Sequence, residues 1–124
     1  MDTDWYDLIA REVRTRRRCD DDGTVWLLFL DEGRRPTIGA VFPPATGIGA
    51  PEYDGLARMI DDIDPPGVVV VVPRFDGVPQ VVDWRFWEEL RARVVVTSCE
   101  LVDLVVVGPR AWWALVGGRP DRAA

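Results

Sequence analysis

Pro65-Pro66-Gly67-Val68-Val69-Val70-Val71-Val72-Pro73 sets five consecutive valines between residues that no helix interior tolerates. Branching at Cβ restricts valine in a helix and suits it to a pleated surface, so Val68 to Val72 reads as a strand. No polar residue interrupts the run, so neither side of this strand is built to face water, and it belongs at the centre of a sheet covered on both faces. The rest of the chain has to supply that cover.

Upstream of Pro65, residues Tyr53, Leu56, Ile60 and Ile63 recur at three to four positions within Glu52 to Ile63, which predicts an amphipathic helix. Pro43 to Pro51 is rich in proline, glycine and alanine and reads as a loop. Thr24 to Leu30 is an apolar run of strand formers, Asp31 to Pro36 reads as a hairpin loop, and Thr37 to Phe42 returns as a second strand. Before them, Trp5, Leu8, Ile9 and Val13 lie at helical spacing within Asp4 to Arg18, predicting a helix that packs on the sheet and stops at Asp21-Asp22-Gly23.

Downstream, Pro73 to Pro79 leaves the valine strand as a loop, and Val82 to Arg93 reads as a helix with Trp84, Trp87 and Leu90 on one stripe. Val94 to Thr97 fits either a strand or an extension of that helix. Leu101 to Val107 is a further strand, Gly108-Pro109-Arg110 a turn, and Ala111 to Val116 a last strand. The expected order is helix, strand, strand, helix, strand, helix, strand, strand: one α/β domain with a mixed sheet flanked by helices. Residues 1–20 supply its N-terminal helix, 21–116 the body, and 117–124 a disordered tail.

The 124 residues, 48% of them hydrophobic, suffice for one core. All 15 basic residues are arginine against 21 acidic ones, giving a net charge of -6, which argues against nucleic acid as the main partner. The basic run Arg11, Arg14, Arg16, Arg17 and Arg18 beside Asp20 to Asp22 reads as a solvated helix end, with a docking patch for an acidic partner or nucleic acid as the alternative. Cys19 and Cys99 lie too far apart in sequence to suggest a paired motif and are expected to be free thiols, Cys99 buried. The acidic start Met1-Asp2-Thr3-Asp4 is unlike a signal peptide, and no apolar run is long enough to span a bilayer, so no membrane association and a cytoplasmic location are expected.

The chain contains no histidine, so the only serine, Ser98, and both cysteines lack the usual base that would make them nucleophiles. Gly47-Ile48-Gly49 lacks the remaining residues of a dinucleotide or phosphate loop. Asp61 with Asp62 and Glu88 with Glu89 point to different sides of their helices. Asp76 and Asp83 flank the loop after the valine strand, where open α/β sheets keep their sites and where two carboxylates suit a hard cation such as Mg²⁺. Trp112 and Trp113 are neighbours on a strand, so one of them leaves the core side.

Three segments, taken together, resemble the JAB/MPN domain, in particular its bacterial RadC-like branch. They are Leu28-Phe29-Leu30-Asp31; Asp83-Trp84-Arg85-Phe86-Trp87-Glu88-Glu89-Leu90 after the valine strand; and Leu101-Val102-Asp103-Leu104-Val105-Val106-Val107-Gly108. The resemblance runs from about Gly23 to Leu115 and implies a layered fold of the cytidine-deaminase-like kind. It also implies a zinc peptidase site, with a His-x-His pair, an aspartate ligand and a glutamate that activates water. At the His-x-His position this chain has Pro73-Arg74-Phe75, the glutamate's place falls near Gly23, and Asp83 alone matches a ligand. One carboxylate does not make a zinc site, which takes about three protein ligands.

The expectation is therefore a pseudoenzyme without metal or cofactor, whose degenerate site is Pro73, Arg74, Phe75, Asp76 and Asp83. The resemblance to catalytically dead members implies a scaffold with an unspecified protein partner, a second copy being one candidate. Trp112, Trp113, Arg14, Arg17 and Arg18 are the candidate contact residues. The alternatives are a carboxylate-based Mg²⁺-dependent hydrolase or phosphotransfer enzyme at the 73–83 loop, and a nucleic-acid accessory protein using Arg11 to Arg18.

Overall fold

The computed structural model describes residues 3–16 and 22–118. Eight elements follow the expected order: α1 (Thr3–Arg16), β1 (Val25–Leu30), β2 (Pro36–Phe42), α2 (Ala50–Ile63), β3 (Gly67–Pro73), α3 (Val81–Val94), β4 (Glu100–Val107) and β5 (Trp112–Ala114). They form one small mixed α/β domain with a five-stranded sheet in the order β2-β1-β3-β4-β5. The valine strand β3 is central and buried along its whole length, antiparallel to β1 and parallel to β4.

Alternation along the strands sends side chains to two cores. Val69 and Val71 meet Ile9, Ala10 and Val13 of α1, while Val68, Val70 and Val72 meet Tyr53 and Ile60 of α2 and Phe86 and Leu90 of α3. Five valines in a row thus serve two half-cores. Among the described residues, no helix is long and apolar enough to cross a membrane.

Two features distort the sheet usefully. The register of β1 with β2 slips between Leu27 and Leu28, leaving Gly39 unpaired. A Cβ at Gly39 would lie 2.3 Å from the Phe29 ring, so only glycine lets that ring cross the bulge. At the other end of the sheet Gly23, with φ +78°, turns the chain so that its N–H donates to Pro73 O at 2.7 Å, tying the entry of β1 to the exit of β3.

Several details differ from expectation. Val94 to Thr97 is not a strand: Val94 closes α3, Val95 N–H still donates to Arg91 O at 3.1 Å, and Thr97 folds back to Val94 O through both its N–H and its hydroxyl. Val95 and Val96 are exposed, so β-propensity without burial did not make a strand. The last strand is only three residues long. Beyond it Gly117 N–H donates to Asp103 at 3.0 Å and Gly118 pairs with Ala114, so the chain is hydrogen-bonded as far as Gly118. Residues 119–124 lie outside the described part.

Candidate functional site

The loop after β3 begins at Arg74, whose N–H donates to Val107 O on β4, and whose side chain turns inward. Its Nε and one terminal nitrogen donate to the two oxygens of Asp83 at 2.8 and 2.7 Å, a bidentate fork. Both side chains are buried, Arg74 at 7% and Asp83 at 3% exposure. Pairing with Asp83 holds the guanidinium's pKa above the usual arginine value; burial opposes this, and the charges of Asp22 and Asp76 add to it.

Asp83 also receives the N–H of Gln80 at 2.8 Å, which satisfies a donor at the start of α3. One carboxylate therefore fixes the loop's first residue and the helix's first turn. Around this fork lies a small recess of about 100 Å³ reached by Gly23, Thr46 and Gln80. Gly23 lies against the Arg74 side chain, and its φ of +78° is what calls for glycine there. Gly23, Arg74 and Asp83, three separate positions in sequence, converge here.

The remaining loop residues sit outside the recess. Phe75 receives an anchor through its N–H, which donates to Asp22 Oδ1 at 2.6 Å, while its ring is 70% exposed. Asp76 accepts from Val78 N–H at 3.1 Å and closes the turn rather than facing Asp83. Among the described residues no group of three or more histidine, cysteine, aspartate or glutamate side chains is placed to hold a metal. The residues at this site do not fit a zinc ion: the only matching ligand, Asp83, already has both oxygens engaged by Arg74.

Trp84, placed by its spacing on the buried stripe, is 45% exposed. Asp83 occupies the inward position next to it, and Phe86, Trp87 and Leu90 complete the buried face. Trp84 thus joins Val78 and Val81 as exposed apolar groups beside the recess. No protein-family model matches the chain, and no curated protein matches it.

Of the two hairpin tryptophans, Trp112 is the buried one. It stacks on Tyr6 at 4.6 Å and donates to Asp7 at 2.7 Å, while Trp113 is half-buried. Arg14 reaches over the sheet end to donate to Gly108 O at 2.8 Å, so it is not turned out with Arg11 and Arg16. Arg17 and Arg18 lie outside the described residues.

Two features escaped the sequence reading. Asp103, fully buried, accepts four donors: Tyr6 hydroxyl at 2.7 Å and the N–H groups of Leu104, Val116 and Gly117. A carboxylate in the middle of the apolar run Leu101 to Val107 was its signal, because a buried charge has to be met by donors. The second is an apolar pocket of about 400 Å³ between α2 and the end of β2, walled by Phe42, Leu56 and Met59 and floored by Val25 and Phe86. Its walls come from the end of β2, the loop after it and α2, and no periodicity marks a gap between them.

Proposed function

We propose that this chain is a degenerate JAB/MPN-like domain of the RadC-like branch that works without metal, as a protein-interaction module. The observation that carries this reading is the Arg74–Asp83 fork: the one residue matching a zinc ligand is neutralised by an arginine that stands between Pro73 and Phe75, the two places where the resemblance would put histidines. Its support is that Gly23, near which the resemblance puts the glutamate, Arg74, the middle residue of the His-x-His place, and Asp83, the matching aspartate, meet at one sheet end. The layering of one helix on one face of the sheet and two helices on the other is in keeping with the cytidine-deaminase-like arrangement. Exposed Val78, Val81 and Trp84 beside the plugged recess offer the kind of apolar rim that an interface uses.

The carboxylate-based Mg²⁺ enzyme is disfavoured by the same fork, since Asp83 has no oxygen left for a cation and Asp76 faces its own turn. Metal content of untagged protein by mass spectrometry, with melting curves in added Zn²⁺ and Mg²⁺, tests the reading. Substoichiometric metal and an unmoved melting temperature are expected. One bound metal per chain would overturn the proposal and put an enzyme in its place.

A further inference from the structure

The sheet has two edges, β2 and β5, and the chain treats them differently. The outer side of β5 is closed: Ala114 exchanges both backbone hydrogen bonds with Gly118, so the 115–118 turn folds back over it. Among the described residues β2 pairs with β1 alone, leaving seven residues of edge. An edge is normally blunted by charge, proline, a bulge or a covering segment. Pro36-Thr37-Ile38-Gly39-Ala40-Val41-Phe42 has no charged residue, and its proline stands at the first position, where it spares the rest of the ladder. Among the described residues the bulge at Gly39 is the one device inside the strand, and it leaves Ala40 to Phe42 in regular register with Val25 to Leu27.

Beside that same half of β2 opens the apolar pocket of about 400 Å³ walled by Phe42, Leu56 and Met59. Open backbone and open apolar surface therefore adjoin, the pairing that strand addition exploits: main-chain bonds for affinity, side-chain pockets for fit. The chain carries a net charge of -6, so two copies repel over most of their surface, and this uncharged strand is where they can approach. An uncharged strand laid against its own copy sets no like charges opposite each other.

We propose that the chain forms a two-fold dimer through β2, the strands of two copies pairing antiparallel to give one continuous ten-stranded sheet, with each copy's α2 and 43–45 segment closing over the pocket beside Phe42. An isologous contact through one strand edge requires antiparallel strands. This deepens the interaction-module reading by naming its partner as a second copy, yet it stands on the edge and not on the metal site.

Sedimentation of the full chain over a concentration series should give a mass approaching twice 14.0 kDa, with amide exchange in Pro36–Phe42 slowing as the dimer fills. Val41→Lys changes a side chain that is 48% exposed and should weaken association at least tenfold while the circular dichroism stays unchanged. Thr37→Lys, also at an exposed position, is the second variant should the first fail to fold, and Trp113→Ala should leave the dimer intact. A monomer at every concentration overturns the proposal. So does a dimer that folded Val41→Lys and Thr37→Lys both leave undisturbed, or one in which β2 amides exchange alike in dilute and concentrated protein. A metal-bound chain that still pairs through β2, or a metal-free chain that stays monomeric, separates this failure from failure of the non-catalytic reading.

Discussion

Replacing Asp83 by alanine leaves the Arg74 guanidinium at 7% exposure with neither of its two carboxylate bonds. Stranding one partner of a buried ion pair costs about 3–5 kcal/mol. The lost acceptor for Gln80 N–H falls within that range, since an N-terminal helix contact of this kind is worth about 1 kcal/mol. A domain of 124 residues loses about 3–5 °C of melting temperature per kcal/mol, so the Asp83→Ala variant should melt about 10–20 °C lower. Arg74→Met strands the Asp83 carboxyl with Gln80 N–H as its one remaining partner of the three and should cost a similar amount, about 3–5 kcal/mol.

The decisive quantity is the coupling. In the double variant Arg74→Met with Asp83→Asn nothing charged is left buried at this position, so its loss should fall short of the summed single losses (Arg74→Met and Asp83→Asn) by about 2–3 kcal/mol. Urea denaturation followed by tryptophan fluorescence gives all four corners of the cycle. Additive losses, with each single variant costing under about 1 kcal/mol, would mean that the fork does not exist in solution and that Asp83 is open to a ligand. That result would refute the argument from the plugged site.

Two further outcomes follow from buried groups. Burial, assisted by the nearby charges of Asp64 and Glu100, pushes the Cys99 thiol up to about 11 from 9.0, and Tyr6 is raised by burial, by its bond to Asp103 and by that carboxylate's charge. Both keep their protons in the folded chain at pH values where the unfolded chain has begun to lose them, so this contribution is whole below pH 9 and declines as the pH rises from 9 towards 11. The urea midpoint should fall in that window, and in a Cys19→Ser background Cys99 should alkylate about a hundredfold more slowly at pH 8 folded than unfolded; equal rates would contradict the burial. Tyr6→Phe removes one of the four donors on Asp103 and should cost about 1.5–3 kcal/mol in urea, the range for a hydrogen bond to a charged group; a loss under about 0.5 kcal/mol would mean that Asp103 finds another donor.

The architecture was legible because its signals are local. Five valines between prolines specify a central strand, and the spacing of Tyr53, Leu56 and Ile60 specifies a helix, whatever the rest of the chain does. The site was legible only as positions. Arg74 and Asp83 could be placed in one loop region from the sequence, but the fork depends on Arg74 turning in, which is a tertiary fact. Trp84 went astray for the same reason: Trp87 and Leu90 fit a stripe that begins at Trp84 and equally one that begins at Asp83, one position and one hundred degrees away. Helical periodicity on its own favours the tryptophan as the buried one, and the guanidinium decides for the aspartate.

That choice bears on what the fork is for. A buried ion pair gains little net stability over well-packed apolar side chains, since desolvation offsets most of its attraction. Stability alone therefore does not account for Arg74 and Asp83. What the pair does that two leucines cannot is fix geometry: the fork holds Arg74, the same carboxylate holds Gln80 N–H, and Asp22 holds Phe75 N–H from the other side. Between these anchors the loop is short, and it carries Phe75 and Val78 outward beside Val81 and Trp84. On the proposed reading the former metal position has become the fastening of an apolar loop. Loosening it with Asp83→Asn should then weaken contacts made through Phe75 and Trp84.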